Sequence, residues 1–96
     1  MKAYVIYHAE VLDADRYEDY KRVAAASIAA AGGTYLVRGG DPAALEGALP
    51  SGRTVILEFP SREVAMRWYE SEEYSRAKAL RDGVAHASAF VVDGYE

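Results

Sequence analysis

Apolar and polar positions alternate with a period near two in some stretches of this chain and near 3.6 in others, and the switches divide it into elements. The first stretch, Ala3-Tyr4-Val5-Ile6-Tyr7-His8-Ala9-Glu10-Val11, is rich in β-branched and aromatic residues and apolar on both alternating sets, which predicts a strand covered on both faces. Asp13 then suits an N-cap, and Asp15 is favourable to the dipole of a first helical turn. Tyr17, Tyr20, Ala24, Ile28 and Ala31 recur at helical spacing, so a helix is predicted over 14–31. Its alanine-rich second half allows close approach to a sheet.

A glycine-fenced run follows. In Gly32-Gly33-Thr34-Tyr35-Leu36-Val37-Arg38-Gly39-Gly40 the first pair permits the positive φ that ends a helix, and the second permits a bulge or bend at the far end of a strand. Arg38 sits where that strand opens out. Residues 41–47 read as its irregular extension, closed by a turn at Leu49-Pro50-Ser51-Gly52. The near-continuous apolar run from Arg53 to Phe59 suits a central strand, and Pro60 ends it. Ser61 caps a helix predicted over 62–70, with Val64, Ala65, Trp68 and Tyr69 on one face. Ser71 caps another bearing Tyr74, Ala77, Leu80 and Arg81, Asp82-Gly83 closes it, and a last strand is predicted over 87–92.

Strand, helix, strand, strand, helix, strand with right-handed crossovers is the ferredoxin-like βαββαβ arrangement: an α+β fold with a four-stranded antiparallel sheet and helices on one face. The other face then needs a cover. Leaving roughly four large side chains wet would forfeit ~6 to 12 kcal/mol, comparable with the whole stability of a small domain. A homodimer with its two sheets packed face to face is therefore expected.

Composition narrows the classes. The 96 residues are 51% hydrophobic and 27% charged, which fits one domain over 1–96. The absence of cysteine excludes disulfides and thiolate metal sites. A net charge of -4 with scattered basic residues argues against nucleic acid. No apolar run approaches the ~18 residues of a membrane span and no leader pattern opens the chain, so no membrane association and a cytoplasmic location are expected. There is no phosphate-binding glycine loop opening a helix, and no G-x-S-x-G.

The glycine-fenced run, then Leu45-Glu46-Gly47, Leu57-Glu58-Phe59-Pro60-Ser61 and Trp68-Tyr69-Glu70-Ser71-Glu72-Glu73-Tyr74, arrive in one order and spacing. In this the whole chain resembles the small bacterial family called domain of unknown function 1330. The resemblance implies the dimeric α/β-barrel superfamily. Relatives there include cofactor-free monooxygenases, lactone isomerases and dehydratases, haem proteins and plain binding proteins, and fold does not choose among them.

The topology gathers polar and aromatic groups at one end of the sheet: His8, Arg38 and His86 from strands, Tyr17, Tyr20, Trp68, Tyr69, Tyr74 and Arg81 from helices. A cleft between sheet and helices there is the expected ligand site. Arg38 can receive a carboxylate through its planar fork, or pair with Glu46 or a partner subunit. The aromatic residues can line the cleft or simply form core, and Arg81 is favoured at a helix end in any case. Glu58, half-buried on a central strand, either pairs with an arginine or has a raised pKa useful for proton transfer, but falls at the end away from His8. His8 and His86 are the only histidines; without a placed carboxylate they make no convincing metal site, and neither metal nor cofactor is expected. Three readings follow: a dimer binding a small polar or acidic organic molecule, a cofactor-independent enzyme of the monooxygenase or isomerase kind with Glu58, a tyrosine or a histidine as proton carrier, and a structural or assembly protein without ligand.

Overall fold

The computed structural model describes residues 1–50 and 52–96. Strands β1 (Ala3–Val11), β2 (Thr34–Gly40), β3 (Arg53–Phe59) and β4 (Ala85–Asp93) form one antiparallel sheet in the order β2-β3-β1-β4. Helix α1 (Ala14–Ala30) connects β1 to β2, and α2 (Arg62–Glu70) with α3 (Glu72–Arg81) connects β3 to β4. This is the expected ferredoxin-like topology.

The registers fix which side chains share a face. Val5 lies opposite Leu57 and Val91, and Tyr7 opposite Val55 and Ala89. These odd positions of β1 are buried under the helices, together with Phe59, Tyr17, Tyr20, Ala24, Ile28, Trp68, Tyr74 and Ala77. The even positions point to the other face, where Ile6 lies opposite both Ile56 and Phe90. Phe90 is 58% exposed there and Val92 43%, with Leu36 of β2 at 50%. Patterning predicts this second apolar face, and within one chain nothing among the described residues covers it.

The helix starts follow the capping residues. Asp13 accepts from the Arg16 N–H at 3.1 Å, Ser61 from Val64 at 3.2 Å and Ser71 from Tyr74 at 3.1 Å. Helix α1 ends one residue short of the predicted boundary: Ala31 is its cap, and Gly32, at φ 83°, turns the chain away. The last strand is longer than predicted. Its pairing with β1 runs from Ala85 opposite Val11 to Asp93 opposite Ala3, through small residues that carry little strand propensity of their own. Residues 41–47 are exposed and form no extension of β2, because its pairing with β3 ends at Gly40. In the predicted turn over 49–52, Ser51 lies outside the described residues.

Candidate functional site

Tyr35 lies opposite Leu57, but Val37 lies opposite Ile56 and Arg38 opposite Val55. Leu36 is thus the extra residue of a β-bulge, and a second irregularity follows between Arg38 and Gly40. In a regular strand Tyr35 and Arg38, three apart, would face opposite ways. The bulge brings both to the helix-covered face, where the Arg38 guanidinium carbon lies 4.6 Å from the centre of the Tyr35 ring.

Beyond Arg38 lies a slot between sheet and helices of about 30 Å³, enough for roughly two waters, opening into a mouth of about 470 Å³ that includes bulk solvent. Phenols and guanidinium groups define it. The hydroxyls of Tyr7 and Tyr17 share a hydrogen bond of 2.9 Å, those of Tyr20 and Tyr74 one of 2.8 Å, and Arg81 Nη1 donates to the Tyr74 hydroxyl at 3.2 Å. The Arg81 guanidinium also lies 5.3 Å from the Tyr20 ring centre and 5.6 Å from that of Tyr7, while Arg53 lies 5.8 Å from that of Tyr17. Arg53 Nε is buried and has no hydrogen-bond partner among the described residues. No ion pair among the described residues involves Arg38, Arg53 or Arg81.

Burial sets the protonation of this cluster. It pushes the phenols of Tyr17 and Tyr20 far above their ordinary value of 10.0, reinforced at Tyr17 by the hydrogen bond with Tyr7 and at Tyr20 by the adjacent Tyr74. Tyr35 and Tyr74 are raised as well, mainly by burial. For Arg81, burial alone would disfavour the charge, but the oxygens of Tyr74 and Tyr20 outweigh it and its pKa is raised. At neutral pH the slot therefore presents neutral phenols and permanent cations. It offers hydrogen-bond donors and positive charge, with no carboxylate of this cluster to accept a proton.

The other residues singled out in the sequence separate into two groups. Trp68 is buried beside this slot, its indole N–H donating to Ser27 Oγ at 3.0 Å and its ring centre 4.3 Å from that of Tyr74. Tyr69 sits at the surface, its ring centre 5.4 Å from that of Tyr74 and 4.3 Å from Lys78 Nζ. His8, His86 and Glu58 fall on the opposite face of the sheet. His8 Nδ1 is 3.1 Å from Thr54 Oγ1, and His86 lies opposite Glu10 at the strand end. No group of three His, Cys, Asp or Glu among the described residues could hold a metal. Glu58 pairs with Lys2 at 3.2 Å rather than with an arginine, because Lys2, just before β1, reaches the end of β3 where Glu58 lies opposite Tyr4. Tyr7, Tyr35 and Arg53 belong to the site and were not among the candidates. Strand alternation offers the signal for Tyr7 and Arg53, since Tyr7 shares parity with Val5 and Ala9, and Arg53 with Val55, Leu57 and Phe59.

Residues 2–95 match the model of the family described as domain of unknown function (DUF1330), and the chain belongs to that family. No curated protein matches it. Among solved structures it is similar to a protein of unknown function from Rhodopseudomonas palustris, at a TM-score of 0.77 with 15% identity over 99% of this chain and 83% of that one. SnoaB, a cofactor-independent oxygenase from Streptomyces nogalater, matches at 0.67 with 9% identity over 99% and 94%. Rv0793 from Mycobacterium tuberculosis matches at 0.63 with 14% identity over 100% and 97%. At such identities the likeness defines the fold. No helix among the described residues is long and apolar enough to cross a membrane.

Proposed function

We propose that this protein binds a small polar or acidic organic molecule in the cleft between sheet and helices, as a homodimer whose sheets pack through their outer faces. The observation that carries the reading is the grouping of Arg38, Arg53 and Arg81 on tyrosine rings with no carboxylate paired to any of them among the described residues. In a chain with a net charge of -4, the two uncompensated guanidinium groups lining this concave site, Arg38 and Arg53, with Arg81 held on the Tyr74 hydroxyl beside it, favour an anion. Arg38, exposed at the mouth, meets the ligand first and moves aside to enlarge the slot. Tyr17, Tyr20 and Tyr74 supply donors and ring faces, Arg81 fixes Tyr74, and Trp68 and Tyr69 form the wall beneath α1.

A thermal-shift screen against organic acids tests the reading. A ligand at 100 times its Kd adds ~2.7 kcal/mol, about 10 to 20 °C for a domain of this size. Arg38→Ala is expected to fold normally and to lose most of the shift. No shift with any acid, in wild type and variant alike, refutes the reading.

A cofactor-independent reaction in the same cleft is the second reading, favoured by the Arg81-Tyr74-Tyr20 chain of donors, which can stabilise negative charge as it develops on a bound substrate. His8, His86 and Glu58 take no part in that scheme, since they lie across the sheet. A mass change in a bound acid during incubation without added cofactor, abolished in Tyr20→Phe although binding persists, is its expected signature.

A further inference from the structure

We propose that Arg53 anchors the carboxylate of the cleft's ligand, an organic monocarboxylate with a flat apolar body, and that Gly39 exists at its position to leave that anchor in place. This rests on the binding reading above and makes it specific. Arg53 opens β3 on the same side of the sheet as Val55 and Leu57 and lines the slot at the same end as Arg38, which lies opposite Val55. Its Nε is buried and without a partner among the described residues, and a buried guanidinium N–H is costly unless some acceptor meets it. None of the phenols around it meets this N–H, so a ligand carboxylate seated beside Arg53 would supply the missing acceptor.

Gly39 makes the cradle. Its φ is 77°, and a Cβ built there would stand 3.0 Å from Arg53 Nη2 and 3.1 Å from Cζ. A side chain at 39 would crowd the guanidinium seated between the β2 backbone and the Tyr17 ring, forcing it to give by a few tenths of an ångström, and would strain the backbone at that φ. Gly47 has a similar φ of 68° with nothing within 4 Å, so it bears the same backbone demand without the neighbour.

The chemistry of the seat selects the ligand. A planar fork of N–H groups matches a carboxylate in bidentate fashion. A phosphate usually recruits backbone amides at a helix N-terminus, but at α1, which borders the cleft, the first-turn amide of Arg16 is already held by the Asp13 carboxylate, whose charge repels an anion. Tyr20, Tyr35, Val55 and Leu57 line the rest of the slot, an aromatic and apolar wall that suits a flat apolar body once Arg38 moves aside.

The test is a titration, followed by NMR at the arginine Nε–H signals, of wild type, Arg53→Lys, Gly39→Ala, Gly47→Ala and Arg38→Ala. Each receives benzoate, hexanoate, the neutral isostere benzamide, and inorganic phosphate. Benzoate is expected to bind wild type most tightly and to move the Arg53 Nε–H signal. Binding should weaken about 10- to 100-fold in Arg53→Lys, the loss expected for a charged hydrogen-bond pair, and measurably but less in Gly39→Ala, with Gly47→Ala unchanged. Circular dichroism confirms that each variant is folded. Benzoate binding that is weakened in Arg38→Ala but unchanged in both Arg53→Lys and Gly39→Ala overturns the anchor and leaves the binding reading standing. Benzamide or phosphate binding as well as benzoate overturns the carboxylate assignment. If no carboxylate binds wild type, both proposals fall.

Discussion

The hydroxyls of Tyr20 and Tyr74 meet at 2.8 Å although 54 residues separate them, and this bond joins α1 to α3 over the sheet. Both rings are buried; the Tyr20 phenol depends on Tyr74 for a partner, whereas that of Tyr74 also accepts from Arg81. Tyr20→Phe is expected to cost about 1 to 2 kcal/mol, with a smaller loss in Tyr74→Phe/Tyr20→Phe than the sum of the single changes, because the second removal leaves no orphaned hydroxyl. Urea unfolding of the four proteins closes the cycle.

The same phenols predict how stability varies with alkali. Tyr17, Tyr20, Tyr35 and Tyr74 have folded-state pKa values raised above the 10.0 they take in the unfolded chain. Above that pH the unfolded chain releases phenolic protons that the folded one retains, so it binds fewer protons and stability falls as pH rises. The urea midpoint should be flat with respect to these groups up to about pH 9 and drop steeply above pH 10. Absorbance of tyrosinate near 295 nm should rise together with unfolding rather than before it for the buried rings.

Ser27 is a buried serine in α1 that accepts from the Trp68 indole N–H and donates to the Ala24 carbonyl at 2.7 Å. Ser27→Ala strands a buried donor, and a loss of about 1 to 3 kcal/mol is expected despite alanine's better helix propensity. Trp68 fluorescence should shift in the same variant while secondary structure is retained.

The outer sheet face makes the assembly testable. Phe90 projects from β4 on that face, opposite Ile6 and 58% exposed. Wild type should sediment at twice the 10.5 kDa chain mass, and Phe90→Glu, which leaves the monomer's core intact, at the single-chain mass. A wild type that sediments as a single chain at micromolar concentration would show that the face stays wet.

Much of this architecture is legible in the order of residues. Asp13, Ser61 and Ser71 start helices, Gly32 stops one, and the two-sided apolar strands imply a second layer. Arg38 is legible as a candidate, but its face is not: parity counted from Tyr35 assigns it to the outer side, and only pairing with β3 reveals the extra residue at Leu36. Arg53 reads as a strand boundary, and the burial of its Nε emerges only when Gly39 and Tyr17 close over it. The histidines share an end with Arg38, as topology requires, yet sit across the sheet, because a strand's position along its axis says nothing of the side to which a residue points.

The irregularities in β2 also make the two margins of the sheet unequal. A strand that slips register twice within Thr34–Gly40 presents an uneven row of N–H and C=O groups, a poor template for another chain. At the other margin, β4 follows β1 without a slip from Ala85 to Asp93. Growth of the sheet by strand addition is therefore discouraged on the side of the cleft's mouth and open only along β4, so the bulge that aims Arg38 inward also keeps its doorway clear of neighbouring backbone.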